Sequence, residues 1–565
     1  MIFSLKMRLN SLDFYVALLL GVVVIENLVA SLWNVDPYHE GAIFATAVGM
    51  SDGLSVFREI NQQYGFLGPL LVSCLLRIFG NYLIVERLFG FTLIMTIAFL
   101  FFLNLRRITS KTTSQLIAIS WLAISPIWSW PFSYSALSGG YWPNHLGVAL
   151  VLIGLLLLQK SNRLILLAGF FVFVSSQARV EFIFVWFFMT LAILLSKKAG
   201  RAYWLGGNLL GVVFIYLYLR NNLSTQDWFN QTMRVWTLDP PDVPEVSLNF
   251  FIFNFINFAG VSVIGLILFL TAAYFSTFFK TFWAAVIAES TLILILLFVP
   301  SVIKLNFFIG NYDVFSAGRY FFANTLFSYV NISMLVIFVS ILFFVRERWG
   351  RIYQEVVCGN PSLLILTGAS FGLLGLFHNF NPDYTQMVWP IFALLFIKLD
   401  KAQPHFLLKF IRSKSLVVLA LSLIFSSSTT FISHALDQIH PYRTEMLMGL
   451  YGQSDKQVQE LDRSYKLIED NVSKGNMLMV CNTGLLSVSD QGYLGSDKWS
   501  WNLQPAVMIS NRLDRLEIDS TILACHLNNQ DRSDLSELES LSVLSVIDKN
   551  NYFTLYQVVK SWPLQ

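Results

Sequence analysis

Charge is what this sequence has least of. Only 13% of its 565 residues are Asp, Glu, Lys or Arg, against about 25% in a typical soluble chain. So little charge cannot cover a water-facing surface at this length, which excludes an ordinary soluble globular protein. Four cysteines and 16 prolines exclude a disulfide scaffold and a collagenous or proline-rich chain. The formal net charge of +3 is too small to point to nucleic acid. A P-loop, a GxGxxG after a strand, an HExxH helix and a CxxC pair are all missing, so nucleotide-driven transport and zinc hydrolysis have no support. Fixed-period repeats and long low-complexity tracts are missing too. What abounds is apolar: 55% of residues, with 51 Phe, 21 Tyr and 15 Trp. The chain reads as an α-helical polytopic membrane protein.

A helix needs roughly 20 apolar residues to cross the hydrocarbon. Runs of that kind predict about thirteen transmembrane helices, at about 12–33, 83–105, 113–130, 144–159, 163–178, 180–196, 202–219, 250–274, 282–300, 321–345, 362–377, 387–398 and 414–432. This topology gathers Lys6, Arg8, Arg106, Arg107, Lys111, Lys160, Arg163, Lys197, Lys198, Arg201, Lys280, Arg346, Arg348 and Arg351 on one side, with the basic cluster 398–414. By the positive-inside rule that side is cytoplasmic, in the inner membrane, with the N-terminus inside. The first apolar run has a basic start and no A-x-A cleavage pattern, so it reads as a retained helix. The opposite loops, about 34–82, 131–143, 220–249, 301–320 and 378–386, are poor in Lys and Arg and rich in aromatics, so functional surface is expected outside.

An odd number of spans puts residues 433–565 outside as well, where composition turns polar. They read as a small extracytoplasmic α/β domain, with a helix near 455–472 and strands at Met477–Cys481, Thr521–Cys525, Leu541–Ile547 and Tyr552–Val559. Residues 1–432 form the transmembrane domain. Cys481 and Cys525 each end a strand-like run where disulfides persist; a bridge and two buried thiols are both open.

The first outer loop carries the chemical signal. Asp36, His39 and Glu40 directly follow the first span. An amphipathic run from Ala42 to Met50, a Gly turn at Gly53, Phe57-Arg58-Glu59 and Tyr64-Gly65-Phe66-Leu67-Gly68-Pro69 come next. The run 66–79 is short for a span and contains Pro69 and Arg77, so it is expected along the membrane surface or dipping into it. Two later segments stand out on the same side: Gln177-Ala178-Arg179-Val180-Glu181, and His378-Asn379-Phe380-Asn381-Pro382-Asp383-Tyr384 before Trp389-Pro390.

Together these segments resemble bacterial membrane glycosyltransferases of the GT-C superfamily, in the branch related to protein O-mannosyltransferases and aminoarabinose transferases. The sharp similarity spans about 50 residues of the first outer loop; the rest is architecture. The resemblance implies transfer of a sugar from a polyprenyl-phosphate donor to a hydroxyl of a glycan, lipid or protein at the outer face, with inversion. Such chemistry needs a carboxylate base, cations at the leaving phosphate and a lipid-accessible groove. The family's usual Asp-Glu pair stands here as His39-Glu40, with Asp36 three residues earlier, so the base lies open between Asp36 and Glu40. Donor-phosphate candidates are Arg58, Lys304, Arg319 and Arg179; acceptor or supporting candidates are His39, Glu181, Tyr64, His378 and Asp383. No resident cofactor is expected beyond the polyprenyl-linked donor, although Asp36, His39 and Glu40 could together hold a divalent cation.

Structural readings stand beside these. Asp36 could cap a helix starting at Pro37. Lys304 and Arg319 could snorkel, and Arg179 with Glu181 could be a buried ion pair. Glu26 and Glu289 fall inside spans, where a carboxylate is a functional candidate by default. Trp128, Trp130, Tyr141, Trp142, Trp228 and Trp236 suit sugar stacking but equally an interfacial belt. A lipid-pyrophosphate-dependent oligosaccharide polymerase or ligase is the related alternative. A transporter or flippase is the non-enzymatic one, and it should show repeat-related halves with broken helices at mid-membrane.

Overall fold

The computed structural model describes residues 11–32, 39–60, 64–124, 143–158, 162–180, 182–195, 200–222 and 225–229 of the first part of the chain. In the tail it describes 440–452, 455–472, 477–480, 484–494, 518–524, 535–536, 538–549 and 553–560, with positions 35, 62, 390 and 394 besides. The last six expected spans therefore lie outside the described residues, apart from those two isolated positions.

Nine longer helices are described in the first part: α1 (Ser11–Leu32), α2 (His39–Ser51), α3 (Leu67–Phe79), α4 (Leu83–Leu105), α5 (Lys111–Ile124), α6 (Pro143–Leu157), α7 (Asn162–Val174), α8 (Phe182–Leu195) and α9 (Arg201–Asn221). Seven of them fall on the first seven expected spans. The 83–105 run is matched residue for residue because an apolar stretch is bounded by Gly80-Asn81 before it and Arg106-Arg107 after it. Among the described residues α4 and α9 are long and apolar enough to cross a membrane, while α5 to α8 run 13 to 15 residues. Large apolar side chains face outward on α1 (Leu18, Ile25), α4 (Phe99) and α9 (Leu209, Leu210, Leu217). Water penalises such a surface and hydrocarbon does not.

Close backbone approach sets the packing of α7 on α9. A side chain on Gly207 would overlap the carbonyl of Leu166, and one on Gly211 would come within 2.6 Å of the Phe173 ring. Gly207 lets the two helix backbones meet and Gly211 makes room for the Phe173 ring, the small-residue device by which helices approach closely in a membrane. Helix α3 is short, as expected of 66–79. It opens with Pro69 in its first turn and ends at Gly80, whose φ of 91° is open to glycine and whose N–H returns to Leu76. Its buried side (Val72, Ser73, Leu76) and exposed side (Leu71, Cys74, Ile78) make it two-faced.

Among its described residues the tail adds a longer helix, α10 (Asp455–Asn471), and eight strands. Two pairs are minimal hairpins: β1 (His440–Pro441) with β2 (Tyr451–Gly452), and β4 (Val488–Ser489) with β5 (Gly492–Tyr493). The others, β3 (Met477–Val480), β6 (Thr521–Ala524), β7 (Leu544–Lys549) and β8 (Thr554–Val558), form one mixed sheet ordered β3-β6-β8-β7. β3 and β6 are parallel, with Met477 opposite Thr521, and β8 runs antiparallel to both of its neighbours. Three strands lie where alternation placed them. The fourth is displaced: the expected Leu541–Ile547 begins at Leu544, because Ser542 takes a φ of 55° in a turn that closes onto Glu539. Cys481, Cys525 and Cys358 lie outside the described residues, and Cys74 is a free, exposed thiol.

Candidate functional site around α2

Helix α2 starts at His39 and carries Glu40 in its first turn, where a carboxylate complements the helix dipole. The expected amphipathic run is instead buried throughout from Ile43 to Met50. A solvated face is missing because α2 shares one core with α4, α5 and the tail residues Leu485, Leu486, Val488 and Tyr493. At the far end of α2, Arg77 of α3 donates to the carbonyls of Met50 and Ser51 at 2.9 and 3.2 Å, satisfying acceptors that the helix leaves open.

Glu40 meets Arg87, from the second turn of α4, in a two-pronged ion pair. Arg87 Nε donates to Oε1 at 2.5 Å and Nη2 to Oε2 at 2.6 Å, with both side chains essentially inaccessible. Arg87 Nη1 also donates to the carbonyl of Ser31 at the end of α1. One guanidinium thus ties α1, α2 and α4 together. Fork-to-fork geometry is the strongest form such a pair takes, and removing either partner strands a buried charge. Beside it Glu86 is fully buried, and among the described residues neither of its carboxyl oxygens has a hydrogen-bond partner.

Arg179 lies in a second buried polar group. It follows the 3-10 turn Ser175–Gln177 that joins α7 to α8, donates to Asn144 Oδ1 at 3.1 Å and stacks over the Tyr64 ring at 5.3 Å. Gly65 lies against the backbone of Gln177, so Tyr64 and Arg179 meet because two loops touch. The sequence candidates Tyr64 and Arg179 are therefore brought together. Arg58 is not brought to Glu40: it is exposed in the turn beyond Ser51, the far end of α2, and that end lies about 16 Å along the helix from Glu40 at 1.5 Å rise per residue. The preceding Phe57 is fully buried with a φ of 69°, a strained conformation for a bulky residue.

His39 is described only as the first residue of α2. Asp36, Glu181, Lys304, Arg319, His378 and Asp383 lie outside the described residues, as do Glu289 and every singled-out aromatic except Trp228, which is half-buried. Glu26 is buried in α1. Sequence reading missed Arg87 and Glu86. Their signal was available: an acidic and a basic residue inside an otherwise apolar 23-residue helix.

Behind α2, Tyr465 of α10 donates its hydroxyl to the carbonyl of Leu485 at 2.6 Å. Burial first, then the charges of Glu469, Tyr442, Glu40 and Asp462, push this phenol well above its ordinary range, so it remains a donor.

Two solved structures are similar to this chain along nearly its whole length. One is the crystal structure of ArnT from Cupriavidus metallidurans bound to undecaprenyl phosphate, at 10% identity and a TM-score of 0.38, covering 98% of this chain and 99% of that one. The other is the same protein in the apo state, at 13% identity and a TM-score of 0.41, covering 96% and 97%. No family model matches the chain, and no curated protein does.

Proposed function

We propose that this protein transfers a sugar from a polyprenyl-phosphate donor to a hydroxyl acceptor at the outer face of the cytoplasmic membrane, with inversion at C1. The observation that carries the reading is the buried Glu40–Arg87 pair. It fastens the first turn of α2, just past Asp36, onto α4, and on this reading that junction is where a lipid-borne donor and a water-borne acceptor meet. Both Glu40 oxygens are engaged by Arg87, which suits this carboxylate to holding the loop and favours Asp36, four positions earlier, as the base. The same engagement speaks against Glu40 as a metal ligand. In the reaction Asp36 accepts the acceptor hydroxyl's proton as its oxygen bonds to C1, and the bond from C1 to the phosphate oxygen breaks, releasing polyprenyl phosphate. Arg179, with Lys304 and Arg319, is the proposed cationic set for the charge that develops on that phosphate.

The test is mass spectrometry of lipid-linked and surface glycans in a deletion strain complemented with wild type, Asp36→Asn or Glu40→Gln. A sugar restored by wild type and lost with Asp36→Asn, at normal protein level and with about a 10²- to 10⁴-fold lower rate in vitro, is expected. Unchanged glycans and unchanged lipid-linked intermediates in the deletion strain would overturn the reading.

A further inference from the structure

The polar tail looks from its composition like a separable domain, but it shares buried core with α2. Gly41, the residue after Glu40, lies so close to the Gly484–Ser487 turn that any side chain there would overlap the backbone nitrogen of Leu485. That turn is held from behind, since the Leu485 carbonyl accepts from the buried Tyr465 hydroxyl at 2.6 Å. It is also tied to the tail's sheet: Leu494 N–H donates to the Ser487 carbonyl at 2.8 Å, and Met477 N–H, from β3, donates to the Leu494 carbonyl at 3.3 Å. The other end of α2 is fixed by the same segment, where Tyr493 N–H donates to Asp52 Oδ2 at 2.6 Å. Asn81, just before α4, donates to the Asp490 carbonyl at 3.5 Å. The helix that carries Glu40 is thus gripped at both ends by one tail segment, while Arg87 holds Glu40 from the bundle side.

We infer that the tail is a fixed wall of the site, in which the Gly484–Ser487 turn, held by Tyr465, positions Glu40 through the first turn of α2. Tyr465 and Gly41 are positioning residues on this account; neither touches the reacting atoms. The kinetic part rests on the transfer reading above, and the structural part does not. Only glycine admits the contact at position 41, and only a hydroxyl at position 465 can anchor the Leu485 carbonyl. A tail that merely recruited a partner would need neither.

The experiment compares full-length wild type, Tyr465→Phe and Tyr556→Phe in lipid nanodiscs. Tyr556 is a second buried tail tyrosine, on β8 and in a core cluster separate from α2. Hydrogen–deuterium exchange of residues 39–51 is read first. Tyr465→Phe should raise it about tenfold, the weight of one buried hydrogen bond, and Tyr556→Phe should leave it unchanged. Transfer kinetics are read second. Tyr465→Phe should lower kcat about 10- to 100-fold with donor KM held within about twofold, as expected of a displaced group and not of lost binding. Unchanged exchange in Tyr465→Phe overturns the inference, and so does raised exchange with unchanged kcat. A wild-type protein without transfer activity sinks the glycosyltransfer reading instead, and the exchange comparison still decides whether the tail holds α2.

Discussion

Two buried glutamates within reach of one arginine lead to opposite predictions. Glu40 has both oxygens on Arg87, so Glu40→Gln or Arg87→Met alone strands a buried partner and should cost about 3–5 kcal/mol. The double variant removes both charges and should lose much less than the two single losses together, a coupling that thermal unfolding in detergent will show. Among the described residues Glu86 has no hydrogen bond to lose, so Glu86→Gln should leave stability unchanged or raise it by about 1 kcal/mol. Equal losses at Glu40 and Glu86 would contradict the geometry. The pairing was not legible in sequence because Glu40 and Arg87 are 47 residues apart and meet only once α2 lies against α4. Tyr64 and Arg179 were each singled out as chemistry-bearing residues, yet the contact between their two loops is what stacks one on the other.

At the scale of elements, sequence periodicity performed best where an element's reasons are local. α4 and α10 run where a long apolar run, broken only by Glu86 and Arg87 near its start, and an amphipathic polar one place them. α2 is the counter-example: its sequence fits a half-exposed helix, and burial came from elements that pack on it from both sides. The α7–α9 contact yields a direct prediction. Gly207→Val puts a branched side chain onto the Leu166 carbonyl, forces the helices apart and should cost about 1–3 kcal/mol, whereas Gly206→Val on the same helix meets only the tip of Leu166 and should be tolerated. Unfolding midpoints of the two variants decide it. The link between α10 and α2 carries a pH signature. Folding raises the Tyr465 pKa above its ordinary 10.0, so the protonated phenol's stabilisation is complete below that value and is lost as pH climbs from there through the folded pKa. Alkaline unfolding of the wild type should start near pH 10 and be blunted in Tyr465→Phe, as followed by tryptophan fluorescence.

Over the whole molecule, the described helices of the first part and the tail share one buried core. Removing residues 433–565 should uncover α2 at Gly41, Gly49 and Asp52, where Leu485 and Tyr493 lie against it, leaving a truncated protein that inserts but digests rapidly within 39–60 under limited proteolysis. A protease-resistant first loop in that truncated chain would show that the tail is dispensable to it. The amino-acid sequence by itself determined where the first seven apolar helices run and the strand-rich nature of the described part of the tail. Those follow from composition and from periods of two and 3.6 residues, which neighbours along the chain are enough to set. Only the tertiary structure decided which charges pair, which turn needs a glycine and which wall the tail supplies. Burial, hydrogen-bond geometry and backbone contact arise between segments far apart in sequence, where no local period reaches.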